Sequence, residues 1–498
     1  MKRPGNSIRG ALSRTFVQRA VSVVFTFGSV TIISRLLTPA EIGIFSIAMG
    51  FFALIQMLRD FGVTEFVVQE KNVSEPLVRT VFTMNLAIAW SLGVLVFSSS
   101  GAVGRFYGDL GVAHVLRVMS LVFILLPFGT TTLALMKRDM EFGKLARIRI
   151  GESVVRSCTA IGLAFAGFSY MSMAWAALAG VTTSVIGCAV WGWMYRVRGL
   201  GLDQWQRVVH FGSFQTVSDI AKTIGEQAPN LVIGRMLGLA PAGFYSRGFG
   251  VVNLYHGNVE TAINTVAFPA YAREHRDVGL APELYLKSLV YITGISWPFF
   301  AAGIVLAHPV IRLLFGPQWD VSVPLMRWLC AAALVGTLVF QAGQFLVALG
   351  RVRDATRLMV QYQLVGLALT VGAAFYGLHA VAAVQIVVYC VAVVLYYMSM
   401  RQYNVLRADN CIRALRPSAV VGVATCVVPA VVVAWPGFVD AHMLVALAAA
   451  ILGGGLGWLL ALLVVKHPLL DEIRRVAAQV SVYATNQVHR EAEPRSKL

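Results

Sequence analysis

The sequence predicts an all-α polytopic membrane protein with about fourteen transmembrane helices. Three observations predict it. Of the 498 residues, 57% are hydrophobic and 13% are charged, about half the charged share of a soluble domain, and the mean hydropathy is +0.71. Apolar runs of about 20 residues, each long enough to cross a ~30 Å hydrocarbon layer as a helix, recur from end to end. The basic residues are sorted between alternate loops.

The first six spans are expected near 12–34, 41–58, 80–103, 113–136, 148–168 and 171–195. Gln18 and Arg19 interrupt the first apolar stretch, and no small-x-small cleavage site follows. It therefore reads as a retained span rather than a signal peptide. Pro39 marks a short outer turn before the second. The linker "YRVRGLGLDQWQRVVH", Tyr195 to His210, leads to six more spans near 208–234, 242–268, 285–308, 324–349, 355–377 and 379–400. Two further spans fall near 416–435 and 442–465, and the tail after Lys466 is polar.

A net charge of +17 could suggest nucleic acid, but its distribution points to a membrane. About 30 of the 41 Lys and Arg fall in alternate loops and the two tails, among them Lys137, Arg138, Lys144 and Arg147. The opposite loops hold about four: Arg35, Arg105, Arg235 and Arg312. This bias places both termini in the cytoplasm and assigns the charge to topology and lipid headgroups, not nucleic acid. The six cysteines are scattered, with no CxxC pair, and read as small apolar residues rather than metal ligands.

One stretch occurs twice. "ISRLLTPAEIGIFSIAMG" (Ile33–Gly50) lies without a gap on "IGRMLGLAPAGFYSRGFG" (Ile233–Gly250), matching Ile33, Arg35, Leu37, Ala40, Gly43, Ser46 and Gly50 to residues 200 positions later. Six spans separate the copies, so both enter the membrane from the same side, as in a parallel repeat. The expected organisation is a six-helix bundle at 1–200, a second at 201–403, two additional helices at 404–465 and a cytoplasmic tail at 466–498. The repeat itself marks architecture, not chemistry.

Charge within the spans is the functional signal. In the seventh, Gln215, Asp219, Lys222, Glu226 and Asn230 fall within roughly 80° of one helix face. The same positions 200 residues earlier are Thr15, Arg19, Ser22, Thr26 and Val30, also largely polar. An ionisable group at the bilayer centre costs about 2.5–3.5 kcal/mol on insertion scales, so such strips should face a wet cavity or protein interior. A structural ion network of Asp219, Lys222 and Glu226 would also account for the strip. Softer candidates are Arg149, Ser153 and Arg156, which line one face at the inner end of the fifth span, where Glu152 could pair with Arg156. Arg247, Asn253, Glu260 and Asn264 lie on or near one face of the eighth. His256 reads as a hydrogen-bonded structural histidine. Arg59 and Asp60 read as a pair at headgroup level. No GxxxxGK[ST], HExxH or GxSxG occurs, and no outer loop is long enough for an active site, so no enzyme, cofactor or metal is expected.

The phrases "SRLLTPAEIGIFSIA" (Ser34–Ala48) and "DFGVTEFVVQEK" (Asp60–Lys71), with the echo "GRMLGLAPAGFYSRG", resemble the Wzx-type polysaccharide transporters of the multidrug/oligosaccharidyl-lipid/polysaccharide exporter superfamily. Members carry R-L-L-x-P-x-x-[FY]-G, and Ile42 here replaces the aromatic. The resemblance spans the whole chain. It implies two six-helix bundles around a central cavity plus two trailing helices. It also implies alternating-access flipping of undecaprenyl-diphosphate-linked oligosaccharide across the bacterial inner membrane, for extracellular polysaccharide or lipopolysaccharide. Polysaccharide polymerase and export machinery would be partners. Cationic cavity residues would engage the diphosphate, and Arg19, Lys222, Arg156 and Arg247 are the candidates by residue type. Asp219, Glu226 and Glu260 would form a charge network or couple a proton or sodium ion. The competing expectations are a cation-coupled multidrug or other lipid exporter of the same superfamily and, less in keeping with the short loops, a membrane enzyme.

Overall fold

A computed structural model describes residues 8–60, 73–195, 199–203, 205–278, 282–402, 408–435, 441–472 and 474–475, with a few single residues between these stretches. No strand occurs among them. Helices α1 (Ile8–Leu36), α2 (Pro39–Asp60), α3 (Glu75–Tyr107), α4 (Leu110–Arg138), α5 (Phe142–Phe165) and α6 (Met171–Trp191) take the first six expected spans, and α7 (Trp205–Met236) the seventh. The eighth is interrupted: α8 (Leu239–Tyr255) passes through a π-helical turn (His256–Glu260) into α9 (Thr261–Val278). After α10 (Pro282–Val305) come a short helix, α11 (Ala307–Phe315), and a 3₁₀ turn at Pro317–Trp319. The tenth span is also split, into α12 (Ser322–Gly336) and α13 (Ala342–Ala348). Helices α14 (Val352–Ala374), α15 (Leu378–Gln402), α16 (Ala408–Val433) and α17 (Met443–Val464) complete the order.

The protein is an all-α polytopic membrane protein. Nine helices among the described residues are long and apolar enough to cross a membrane by length and composition alone. Helices α5, α7 and α14 are long enough but carry the charges that make them candidates for function.

The chain divides into two compact units. The first comprises Met1–Gly248, Leu314–Leu325 and Met359–Val384. In it α3 packs along α4, α5 along α1 and α6, and α2 along α7. Local sequence sets these elements. Thr38 and Glu41 form a capping box at the start of α2: the Thr38 amide donates to Glu41 Oε2 at 2.7 Å, and the Glu41 amide donates to Thr38 Oγ1 at 3.4 Å. Pro39 between them occupies a first-turn position where its missing N–H costs nothing. Between α3 and α4, Gly108 adopts φ 72° to end one helix, and Asp109 accepts from the Gly111 amide at 2.6 Å to start the next.

The second unit comprises Phe249–Leu313, Met326–Leu358 and Gln385–Leu498. Here α16 packs between α10 and α17. Close approach of α17 rests on small residues: a Cβ added at Gly454 or Gly457 would lie 3.3 Å from the Thr425 or Ala424 carbonyl oxygen. Beyond α17, His467 is buried at 1% exposure. It accepts from the Leu469 amide at Nδ1 (3.2 Å), which leaves the proton on Nε2, 3.0 Å from Ser418 Oγ. Burial pushes its pKa below the ordinary 6.5.

Candidate functional site

The two copies of the repeated phrase meet each other within the first unit. Each contributes a glycine one turn into its helix, Gly43 in α2 and Gly243 in α8. A Cβ on Gly43 would collide with the Leu239 carbonyl and lie 3.2 Å from the Gly243 nitrogen. A Cβ on Gly243 would collide with the Pro39 carbonyl and lie 3.2 Å from the Gly43 nitrogen. Pro39 and Leu239 are themselves equivalent in the repeat, so the contact is reciprocal about a local two-fold. Residues 316–322 reinforce this end. Gln318 Nε2 and Trp319 Nε1 donate to the Ser34 carbonyl at 2.6 and 2.8 Å, and Ser322 Oγ donates to the Phe244 carbonyl at 2.9 Å. The carbonyl at the end of α1, which no helical amide can satisfy, is thus capped by side chains.

The polar strip of α7 divides in two. Asn230 is buried, and its Nδ2 donates to Ser46 Oγ of α2 at 3.1 Å. This end of the strip holds two helices together. Lys222 and Glu226 are different: their side chains are 59% and 48% exposed and lie 3.7 Å apart. Charges so exposed on a helix of 32 residues, long enough to span a membrane, favour water over hydrocarbon. A pair this open is worth only a few tenths of a kcal/mol, so an anion can displace Glu226 from Lys222 at little cost. Beside it, the Gln363 side chain of α14 covers Gly225 and donates to the Tyr362 hydroxyl at 3.0 Å. Asp219 lies on α7, but its side chain is outside the described residues.

Arg247 of α8 lies over two rings, 5.6 Å from the centre of Phe315 and 5.7 Å from that of Trp319. Its Nε is buried without a hydrogen-bond partner among the described residues. The π-faces stabilise the cation and leave its donors unspent. Arg19 is half-buried on α1. Near it Ser22 and Phe25 are taken up by α5, Ser153 donating to Ser22 Oγ and Ser157 to the Phe25 carbonyl, both at 3.1 Å. That part of the α1 strip packs helices.

In α5 the ion pair differs from expectation. Glu152 takes Arg149 at 3.1 Å, not Arg156. Arg149 stands one turn closer to the helix start and reaches the half-buried carboxylate from the exposed side. Arg156 is exposed, with no ion pair among the described residues, and its stem packs on Gly180 of α6. Next to it, Val155, Thr159 and Leu163 face Trp175, Leu178 and Thr182 across an apolar groove of about 500 Å³. Arg59, expected at headgroup level, is buried and reaches Thr130 Oγ1 at 3.5 Å. In the second unit, Glu260 pairs with His256.

Thus the structure sets Lys222 with Glu226, Arg247 with an aromatic pair and Glu260 with His256. Sequence reasoning missed Gln363 and the Gln318–Trp319 cap. The signal for the cap was a tryptophan and an amide side by side in a supposed outer loop.

Residues 32–324 match the family described as polysaccharide biosynthesis protein. The lipopolysaccharide biosynthesis protein WzxC of Escherichia coli (strain K12) is 25% identical over 345 residues, covering 67% of this chain and 69% of its own. The succinoglycan biosynthesis transport protein ExoT of Rhizobium meliloti is 28% identical over 312 residues, covering 60% and 61%. In fold, the chain is similar to the lipid II flippase MurJ in an inward closed conformation, with a TM-score of 0.71 at 12% identity over 91% of this chain and 98% of that one. An inward-facing multidrug resistance MATE family transporter gives a TM-score of 0.60 at 16% identity, over 80% and 100%. Matched over more than half its length, and with both copies of the repeated phrase inside the match, the chain belongs to the polysaccharide biosynthesis protein family.

Proposed function

We propose that the protein is a flippase that carries undecaprenyl-diphosphate-linked oligosaccharide from the cytoplasmic to the periplasmic leaflet of the bacterial inner membrane, by alternating access. The observation that carries this reading is the exposed Lys222–Glu226 pair on the 32-residue α7 of a polysaccharide biosynthesis family member. Lys222 offers a point charge to the diphosphate. Arg19, Arg156 and Arg247 are further phosphate donors, and the apolar groove beside Arg156 offers room for part of a prenyl chain. Asp219, Glu226 and Glu260 would balance the cations or couple an ion. Similarity to ExoT, a succinoglycan biosynthesis transport protein, supports transport rather than catalysis.

Division into bundles at 1–200 and 201–403, with two further helices at 404–465, belongs to the same proposal. So do cytoplasmic termini, which the basic loops support, and association with polymerase and export machinery. In a strain lacking the gene, lipid-linked oligosaccharide should accumulate facing the cytoplasm, and the wild-type gene should clear it. An unchanged lipid-linked pool together with altered accumulation of amphipathic drugs would favour the multidrug exporter instead.

A further inference from the structure

On α7, Lys222, Gly225 and Glu226 stand at i, i+3 and i+4, so they share one stretch of helix surface. Gly225 is covered by the Gln363 side chain of α14. A Cβ at Gly225 would collide with the oxygen, carbon and nitrogen of the Gln363 carboxamide. Both helices carry these residues within the first unit. The carboxamide therefore occupies the space that the missing side chain leaves, one turn from Lys222 and next to Glu226. Its orientation is held by Tyr362, whose hydroxyl accepts from Gln363 Nε2 at 3.0 Å. Tyr362 in turn lies within electrostatic reach of the Glu226 carboxylate. Gln363 and Tyr362 are half-buried, and Lys222 and Glu226 are open.

Donors and acceptors are unevenly divided in this patch. Lys222 only donates, and the Glu226 carboxylate only accepts. Gln363 spends an amide N–H on Tyr362, and its Oε1 has no hydrogen-bond partner among the described residues. A diphosphate offers acceptors alone. Lys222 serves it, whereas Glu226 and the Gln363 carbonyl repel it. An anion that draws Lys222 away also leaves Glu226 without its cation, because the pair is too open to resist. Both sides of the patch are satisfied only by a ligand that carries an anion and, directly beside it, groups that donate hydrogen bonds. The first sugar of a diphosphate-linked saccharide has that chemistry: its hydroxyl or amide N–H groups lie next to the phosphates. A bare prenyl diphosphate lacks them.

We propose that Gln363, held against Gly225, is a specificity-determining residue. With Glu226 it accepts hydrogen bonds from the sugar joined to the diphosphate, while Lys222 takes the diphosphate itself. This rests on the transport reading above and adds that the site selects a sugar-bearing lipid over the unloaded carrier. A site built to bond a hydroxyl discriminates against the analogue that lacks it, because its own acceptor is then left unpaired.

Binding of two kinds of probe to the purified full-length protein tests this. One is farnesyl diphosphate. The other is farnesyl diphosphate carrying a single sugar, made with glucose, galactose or N-acetylglucosamine. Wild type should bind at least one sugar-bearing probe more tightly than the bare diphosphate. In Gln363→Ala that preference should shrink about three- to tenfold, the worth of one hydrogen bond, with affinity for the bare diphosphate unchanged. Gly225→Ala should do the same, because its methyl group displaces the flexible carboxamide, and it carries the test alone if Gln363→Ala fails to fold. Lys222→Ala should weaken every probe. A preference that Gln363→Ala and Gly225→Ala leave intact overturns the proposal. So does a loss shared equally by bare and sugar-bearing probes, or a wild type that binds them all alike. A wild type that binds none of them contradicts the diphosphate cargo instead, so the two failures are distinguishable.

Discussion

Gly43 and Gly243 face each other two hundred residues apart, each standing where a side chain would strike the first-turn carbonyl of the other helix. That reciprocity explains the repeated phrase: the sequence carries it twice because the two copies are partners in one contact. Backbones so close lose packing if either glycine acquires a Cβ, and overpacking costs about 1–3 kcal/mol. Gly43→Ala and Gly243→Ala should lower the thermal unfolding midpoint in detergent by similar amounts. Gly250→Ala, with open space around it, should be neutral or slightly stabilising. Equal midpoints for all three variants would show that the contact is not tight.

Much of this was legible in the sequence because it depends on patterns that hydropathy and repetition record. The order of spans followed from apolar runs, and Pro39 marked the turn that leads into α2. The breaks at 256–260 and 337–341 were not legible. They are changes in hydrogen-bond register, and the flanking residues remain apolar enough to read as one span. Partner choice was also hidden: Glu152 had two arginines within a turn, and only the fold chose Arg149. The α7 strip looked uniform, yet packing with α2 buries Asn230 and leaves Lys222 and Glu226 open.

The Thr38 cap supplies a second test. Thr38→Ala removes the acceptor for the Glu41 amide and the threonine hydroxyl that donates to Glu41 Oε2 at 2.8 Å. The loss should be about 0.5–2 kcal/mol, read from denaturant unfolding. Thr38→Ser should recover most of it. A serine variant as weak as alanine would place the threonine's contribution in its methyl group.

His467 gives a pH dependence with a definite sign. Its folded pKa lies below the ordinary 6.5 because burial disfavours the cation. The unfolded chain therefore binds the proton first. Stability from this group is complete above about pH 6.5 and is lost as pH falls toward the lower folded value. The midpoint should drop between pH 7 and pH 5 by more in the wild type than in His467→Gln. Parallel curves for the two proteins would mean that His467 does not titrate differently on unfolding.

The most direct measurement is leaflet translocation by purified protein in vesicles. A fluorescent diphosphate-linked prenyl oligosaccharide is loaded, and its exposure to a membrane-impermeant quencher is followed for wild type and Lys222→Ala. Because Lys222 and Glu226 are open to water, the variant should fold with a stability within about 0.5 kcal/mol of wild type. The account predicts rapid equilibration by the wild type and a rate near that of protein-free vesicles for Lys222→Ala. Equal, rapid equilibration by both proteins would remove Lys222 from the mechanism, and no acceleration by the wild type would contradict the assigned cargo.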